Sequence, residues 1–144
     1  MAINYRTINK QAIQKIISVS QHTKSISPHL KALVELRVSQ INGCAFCVNL
    51  HTTQARELGV ESQLLDCLIV WHECQLFSKQ DMAALSWAES VTQIASEKHI
   101  EDKLETLLTH FNETEAVDLT IIIALINSLN RIAIGFGDKP LPRA

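Results

Sequence analysis

Two cysteines and a histidine stand at a spacing that suits redox chemistry, because Cys44, Cys47 and His51 form a C-x-x-C-x-x-x-H pattern. Residues three and four positions apart lie on one face of a helix, so both thiols and the imidazole would project from the same side. A helix that begins near Cys44 also directs its free N–H groups at that sulfur. This favours the thiolate, which is the nucleophilic form of cysteine.

Such an arrangement is suited to the reduction of a peroxide. A thiolate attacks one peroxide oxygen, and the resulting sulfenic acid must be trapped by a second thiol before it oxidises further. Cys44 and Cys47 supply both sulfurs, and His51 could take a proton directly or through water. Spacing favours Cys47 as the thiol that His51 activates, whereas the helix terminus favours Cys44 as the thiolate. The sequence therefore leaves open which sulfur attacks first.

Two other interpretations of these cysteines remain. Cysteines in such a pair sometimes only pack as small apolar residues, and they bind zinc when further ligands complete the site. Cys67, His72 and Cys74 are candidates for further ligands, but they follow no ligand spacing relative to one another. Cys67 also lies among leucines, which indicates a core position. We therefore expect no metal here, and without a phosphate-binding glycine loop we expect no nucleotide or other cofactor.

Composition narrows the class of protein. The chain has 144 residues, 47% of them apolar, with only four glycines and three prolines, which favours one helical domain. Its net charge of −2 includes no block of like charge, so nothing indicates nucleic-acid binding. The polar N-terminus does not look like a signal peptide, and the longest near-apolar run, 119–126, is too short to span a membrane. We therefore expect a cytoplasmic protein with no membrane partner.

The spacing of apolar residues predicts an all-α fold, one domain over residues 1–144, in which the C-x-x-C pair lies in a helical hairpin. Ser27, Ser78 and Thr114 are predicted to cap helices, and Gly43 to end one. The last predicted helix is apolar on most sides, which indicates burial, in part by a partner subunit. After an extended arm over 1–7, the predicted helices cover 8–20, 28–42, 44–59, 61–71, 79–96, 100–111 and 115–134.

The segment from Leu36 to Thr52, LRVSQINGCAFCVNLHT, resembles the alkylhydroperoxidase D-like group of the carboxymuconolactone decarboxylase superfamily. Later segments are similar too, including WHE at 71–73, AALSWAE at 83–89 and VDLT at 117–120, so the resemblance covers roughly residues 27–137. It implies an all-helical homo-oligomer, commonly built from dimers or trimers up to a hexamer. It also implies a peroxidase-type activity through the cysteine pair, which decarboxylase members of the superfamily lack.

The sequence departs from the family pattern at one position. The family has a glutamate twelve residues before the first cysteine, where it feeds a proton relay with the histidine, but this chain has Ala32 there. Glu35 follows three residues later, on nearly the same helical face, and could replace it. The alternatives for Glu35 are an ordinary solvated carboxylate, or a partner for Arg37 or for a neighbouring chain.

The sequence thus predicts a thiol-dependent peroxidase that reduces hydrogen peroxide or alkyl hydroperoxides through Cys44 and Cys47. His51 would act as base or proton shuttle, Glu35 as a second member of the relay, and an external thiol would reduce the disulfide again. The first alternative is a disulfide reductase or adaptor that passes electrons to a separate peroxidase. The others are a non-enzymatic oligomeric module with structural or metal-binding cysteines, and a decarboxylase-like or lactone-processing enzyme that holds its ligand with a carboxylate or arginine.

Overall fold

Residues that start and stop helices divide the chain into eight α-helices over residues 3–143, the part that this computed structural model describes. No strand occurs within that range, which confirms the all-α prediction. Two short 3₁₀ turns, Val19–His22 and Leu68–Glu73, connect neighbouring helices. The helices are α1 (Tyr5–Ile8), α2 (Lys10–Ser18), α3 (Pro28–Asn42), α4 (Ala45–Glu57), α5 (Ser62–Cys67), α6 (Lys79–Thr92), α7 (Ile100–Leu108) and α8 (Glu113–Gly135).

The hairpin of α3 and α4 is defined by local signals that the sequence displays. Ser27 caps α3 by accepting a hydrogen bond from the backbone N–H of Leu30, and Pro28 occupies the first turn. Gly43 ends α3 with a left-handed φ of 69°, a conformation that costs glycine little. The chain reverses there, so Cys44 follows at once as the N-cap of α4.

Several predicted boundaries are wrong. Residues 5–8 form α1 instead of an extended arm, while the first two residues of that arm lie outside the described range. The predicted helix over 61–71 breaks after Cys67 into a 3₁₀ turn, within which Val70 has non-helical dihedral angles. Helix α8 starts two residues earlier than predicted, because Asn112 and Glu115 form a capping box and Thr114 does not cap.

Helix α3 lies at the centre of the fold because it is apolar on two sides. One side carries Leu30, Val34 and Val38 into a core shared with α6, α7 and α8. The other carries Leu33 and Leu36 into a second core under α4 and the turn at Leu68–Glu73. Helix α3 consequently packs against α4, α6 and α8, and it holds these three in fixed relative positions.

Helix α8 is the one helix of the described residues that is long and apolar enough to cross a membrane by length and composition. Its place in the bundle gives another reason for that composition, since Leu119, Ile122, Ile123 and Ile126 are buried against α3 and α6. A central helix of a bundle needs such an apolar face. The predicted burial on most sides is only partly seen, because residues on the other side, such as Ile121, are exposed.

Candidate active site

The two cysteines of the motif are joined in a disulfide across the first turn of α4, with their Cα atoms 5.2 Å apart. Cys44 has an extended backbone, and its Sγ accepts a hydrogen bond of 3.3 Å from the backbone N–H of Cys47. A sulfur thus occupies the position that a serine or aspartate oxygen takes in an ordinary N-cap. One free N–H group of the helix terminus thus points towards this sulfur, as the sequence predicts.

Only one of the two sulfurs belongs to a residue that lines a cleft. Cys47 lies in the wall of a cleft of about 340 Å³ between α2, α3, α4 and α8, and Cys44 is absent from that wall. Both cysteines pack in a small cluster with Ala133 of α8 and with Phe46. Cys44 is 1% exposed and Cys47 is 4% exposed, so both lie below the protein surface. Of the two cysteines, Cys47 is therefore the one that borders this cleft.

His51 also lines the cleft, one helical turn after Cys47. Its Nδ1 lies 3.0 Å from Oε1 of Gln54 and 3.5 Å from Oε2 of Glu35. Because an amide oxygen only accepts hydrogen bonds, the contact with Gln54 favours the tautomer that carries its proton on Nδ1. Nε2 has no hydrogen-bond partner among the described residues. Every buried polar side-chain atom of these residues does have a partner, so Nε2 itself is not buried. Nε2 is therefore open to the cleft, with a lone pair that can accept a proton.

Glu35 contacts this histidine from α3, and it is not the solvated carboxylate that was the alternative. Its side chain is 16% exposed, and one oxygen lies 3.9 Å from Nζ of Lys31. Burial raises the pKa of Glu35 to about 7, although the nearby Lys31 acts in the opposite direction. Burial also lowers the pKa of His51 to about 4. Near neutral pH, therefore, the imidazole is uncharged and the carboxyl group still holds a proton for much of the time.

Glu35 thus lies within 3.5 Å of the histidine, although it stands three residues after the position of the family glutamate. Ala32, at the position where the family has its glutamate, is buried in the second core. Arg37, the other partner considered for Glu35, instead donates a 2.8 Å hydrogen bond to Glu89, which also accepts one from the indole of Trp71.

A buried amide network that sequence reasoning missed fixes the start of α4. Asn130 of α8 is fully buried, donates to the Ser39 hydroxyl at 3.1 Å and accepts from the Asn42 side chain at 3.0 Å. The carbonyl of Ser39 in turn accepts the backbone N–H of Cys44 at 3.1 Å. The sequence contained a signal for this network, since Asn127 and Asn130 interrupt the otherwise apolar sequence of α8. Gln54 was missed as well, although it lies three residues after His51 on the same face.

The other two cysteines take no part in this arrangement. Cys67 and Cys74 are both free and half-buried, and Cys67 packs against the second core as its leucine neighbours predicted. The thiol of Cys74 faces the carbonyl of Val70 at 3.5 Å. Within residues 3–143, no three His, Cys, Asp or Glu side chains are grouped as a metal site would require.

Comparison with known proteins identifies the family to which the chain belongs. Residues 12–90 match the model of the carboxymuconolactone decarboxylase family. The uncharacterized protein YdfG of Bacillus subtilis is 37% identical over 139 residues, which cover 95% of each chain.

Solved structures of similar proteins support the same family. A protein of unknown function from Agrobacterium tumefaciens, whose name proposes an AhpD-type role in antioxidant defence, superposes with a TM-score of 0.91 at 35% identity. That match covers 98% of this chain and 99% of the other. A peroxidase-related protein from Ralstonia eutropha, described as an alkylhydroperoxidase AhpD core, shares the fold at 21% identity and a TM-score of 0.81, with 95% and 73% of the two chains covered. The chain therefore belongs to the AhpD-like group of the carboxymuconolactone decarboxylase family.

Proposed function

We propose that the protein is a thiol-dependent peroxidase that reduces hydroperoxides through Cys44 and Cys47. The observation that carries this proposal is the position of Cys47, which is paired with a second sulfur and faces a cleft that His51 also lines. A family membership alone would not support it, because one fold hosts many activities.

In the first half of the reaction, the Cys47 thiolate attacks the outer oxygen of a hydroperoxide, and the O–O bond breaks. The sulfur becomes a sulfenic acid, and the alkoxide that leaves takes up a proton to become an alcohol. The thiol of Cys44 then attacks the Cys47 sulfur and expels water, which forms the disulfide. Two thiols are thus oxidised to a disulfide while the hydroperoxide is reduced to an alcohol and water.

The assignment of Cys47 as the attacking sulfur follows from access. Cys44 is 1% exposed and does not line the cleft, so a hydroperoxide in the cleft meets Cys47 first. Cys44 is well placed for the second step, because its sulfur lies against the backbone N–H of Cys47 at the start of the helix. That donor and the helix dipole stabilise the Cys44 thiolate when it attacks the sulfenic acid.

His51 and Glu35 are proposed to move the proton. The imidazole accepts the Cys47 proton on Nε2, since Gln54 holds the Nδ1 proton in place. An imidazolium in this buried position is unfavourable, and Glu35, 3.5 Å from Nδ1, can share the charge. The same proton then returns through Nε2 to the departing alkoxide. His51 is thus the base and the acid, and Glu35 stabilises its charged form.

The disulfide is reduced again by an external thiol that enters the same cleft. Because Cys47 is only 4% exposed, this reductant has to be slender, such as a small dithiol. A thiol supply of this kind fits the reducing cytoplasm, where we expect the protein to act. We also expect a homo-oligomer, since α8 leaves Val117, Ile121 and Ile134 exposed, and light scattering on the purified protein measures its mass.

The experiment that tests the function measures the consumption of tert-butyl hydroperoxide with dithiothreitol as reductant. Cys47→Ser should abolish turnover. Once dithiothreitol has been removed from the reduced protein, Cys44→Ser should consume one equivalent of hydroperoxide and leave a sulfenic acid on Cys47, which dimedone labels and mass spectrometry locates. Cys74→Ser is the matched control, because it removes a half-buried thiol outside the cleft and should leave the rate unchanged.

Two results would contradict the proposal. Wild-type rates in both the Cys44 and the Cys47 variants would show that the thiols do no chemistry. A wild-type protein that consumes no hydroperoxide, but whose disulfide delivers electrons from dithiothreitol to an added peroxidase, would instead be the reductase or adaptor considered above.

A further inference from the structure

The cleft is far larger and more apolar than hydrogen peroxide requires. Its volume of about 340 Å³ lies at the lower end of the range for sites that hold organic ligands. Apolar side chains from α2, α4 and α8 form most of its wall. They are Ile13, Ile17, Phe46, Leu50, Leu125, Ile126, Leu129, Ile132 and Ala133.

Three charged side chains of the described residues line the same cleft, and two of them are cations. The guanidinium of Arg6 is already bound by the Asp138 carboxylate, with one contact at 3.2 Å, and it also lies over the ring of Phe46. Lys31 differs, because within residues 3–143 the only carboxylate that approaches it is Glu35, at 3.9 Å.

Glu35 neutralises Lys31 poorly, for two reasons. The 3.9 Å separation is too long for a hydrogen bond, and burial favours the protonated, uncharged form of the carboxyl group. Lys31 itself is only 27% exposed, so water screens its charge less than that of a surface lysine. The ammonium of Lys31 is therefore a half-buried positive charge at an apolar wall, without a fixed anion that satisfies it.

We propose that Lys31 binds the carboxylate of an organic hydroperoxide, so that the preferred substrates are peroxidised fatty acids and not hydrogen peroxide or uncharged alkyl hydroperoxides. This inference rests on the proposed peroxidase function, and it adds the chemical class of the substrate. The acyl chain would lie along the apolar wall, as in other sites that combine such a wall with a few polar groups.

The positions of the residues suit this orientation. Lys31 lies one helical turn before Glu35 on α3, and Glu35 contacts His51, which is one turn from Cys47 on α4. A carboxylate at Lys31 is thus held on the same side of the cleft as the proton relay.

The test compares one fatty-acid hydroperoxide with its methyl ester, both below their micelle concentration, with saturating dithiothreitol. The wild type should show a kcat/KM about fivefold higher for the acid than for the ester, which is the effect of one half-buried ion pair. Lys31→Gln should bring this ratio to about one. Lys31→Arg should largely keep the ratio, since it retains the charge. Lys15→Gln, at an exposed position of α2, is the matched control and should leave the ratio unchanged.

The ratio separates substrate binding from an effect on the relay, because Lys31 also stands beside Glu35. If Lys31→Gln slows the acid and the ester equally, Lys31 acts through Glu35 and the proposal is wrong. A wild-type ratio of one overturns it as well, while rapid reduction of both compounds would leave the peroxidase function intact. If the wild type reduces no hydroperoxide of any kind, both the substrate class and the function fall.

Discussion

Replacing Glu35 with glutamine should slow the enzyme and, at alkaline pH, make it more stable. Glutamine has nearly the shape of the protonated carboxyl group, but it cannot ionise. Burial raises the pKa of Glu35 from 4.5 to about 7, and its side chain is 16% exposed. Above that pH the folded wild type must hold a buried carboxylate, whereas the variant does not.

The sign and size of the effect follow from proton linkage. Between pH 4.5 and about 7 the folded state keeps the Glu35 proton while the unfolded chain has lost it, so this group's contribution to stability falls as pH rises. At 1.36 kcal/mol per pH unit, the full gap corresponds to about 3 kcal/mol, and the remaining exposure of the side chain reduces this to about 2 kcal/mol. Glu35→Gln should therefore match the wild type at pH 4.5 and exceed it by about 2 kcal/mol at pH 8.

His51 has the opposite dependence and must be considered in the same range. Burial lowers its pKa from 6.5 to about 4, so its contribution to stability is complete above pH 6.5 and is lost as pH falls through 4. In the wild type the two slopes oppose each other between pH 4.5 and 6.5. The variant keeps the histidine and loses the glutamate, so the difference between the two proteins isolates Glu35.

The assay is urea unfolding of the oxidised protein at pH 4.5, 6 and 8, so that the disulfide keeps Cys44 and Cys47 from titrating. Glu57→Gln, which removes an exposed carboxylate from α4, is the matched control. A flat difference for Glu35→Gln would refute the reasoning, since Glu35 would then ionise as it does in water. A rising difference together with wild-type kcat/KM would show that Glu35 is buried but outside the relay.

Three further substitutions test residues that hold the site residues in position. Gln54→Leu should lower kcat/KM about tenfold and alter its pH profile, because Nδ1 of His51 loses the acceptor that fixes the tautomer. Asn130→Ala should lower the free energy of unfolding, measured in urea, by about 2 kcal/mol. The side chains of Ser39 and Asn42 on α3 would each lose their hydrogen bond to Asn130. Gly43→Ala should lower the free energy of unfolding by about 1 kcal/mol, which is measured as a lower Tm. No atom lies close to the new Cβ, so the cost comes only from the left-handed backbone conformation.

The sequence predicted the parts of the fold that depend on local signals. Ser27 with Pro28, Ser78, and the glycine at position 43 each start or end a helix as expected, because caps involve residues within one turn of one another. Helix α1 was missed because its anchor is distant in sequence. Tyr5 and Arg6 both bind Asp138, beyond the end of α8, and no local pattern encodes that contact.

The candidate site also has features that local sequence patterns predict and features that depend on contacts distant in sequence. Helical periodicity alone placed Cys44, Cys47 and His51 on one face of α4. The family resemblance, with its glutamate missing at Ala32, offered Glu35 as a candidate from α3. Periodicity could not tell how deeply the sulfurs lie or which of them is reached, because the cleft that Cys47 lines is formed by helices from distant parts of the chain. Depth is a tertiary property, and the order of attack proposed above rests on it.

Depth also determines the acid–base character of the site. In water, Glu35 would be charged at neutral pH and His51 would be partly protonated, so the pair would have no reason to exchange a proton. Burial disfavours both charges at once, which leaves a neutral base and a nearby carboxyl group that holds or releases a proton close to pH 7. A C-x-x-C-x-x-x-H sequence on an exposed helix would carry the same sulfurs without this property. The peroxidase chemistry proposed here therefore depends on the covering of the α3–α4 hairpin by α8 as much as on the cysteines.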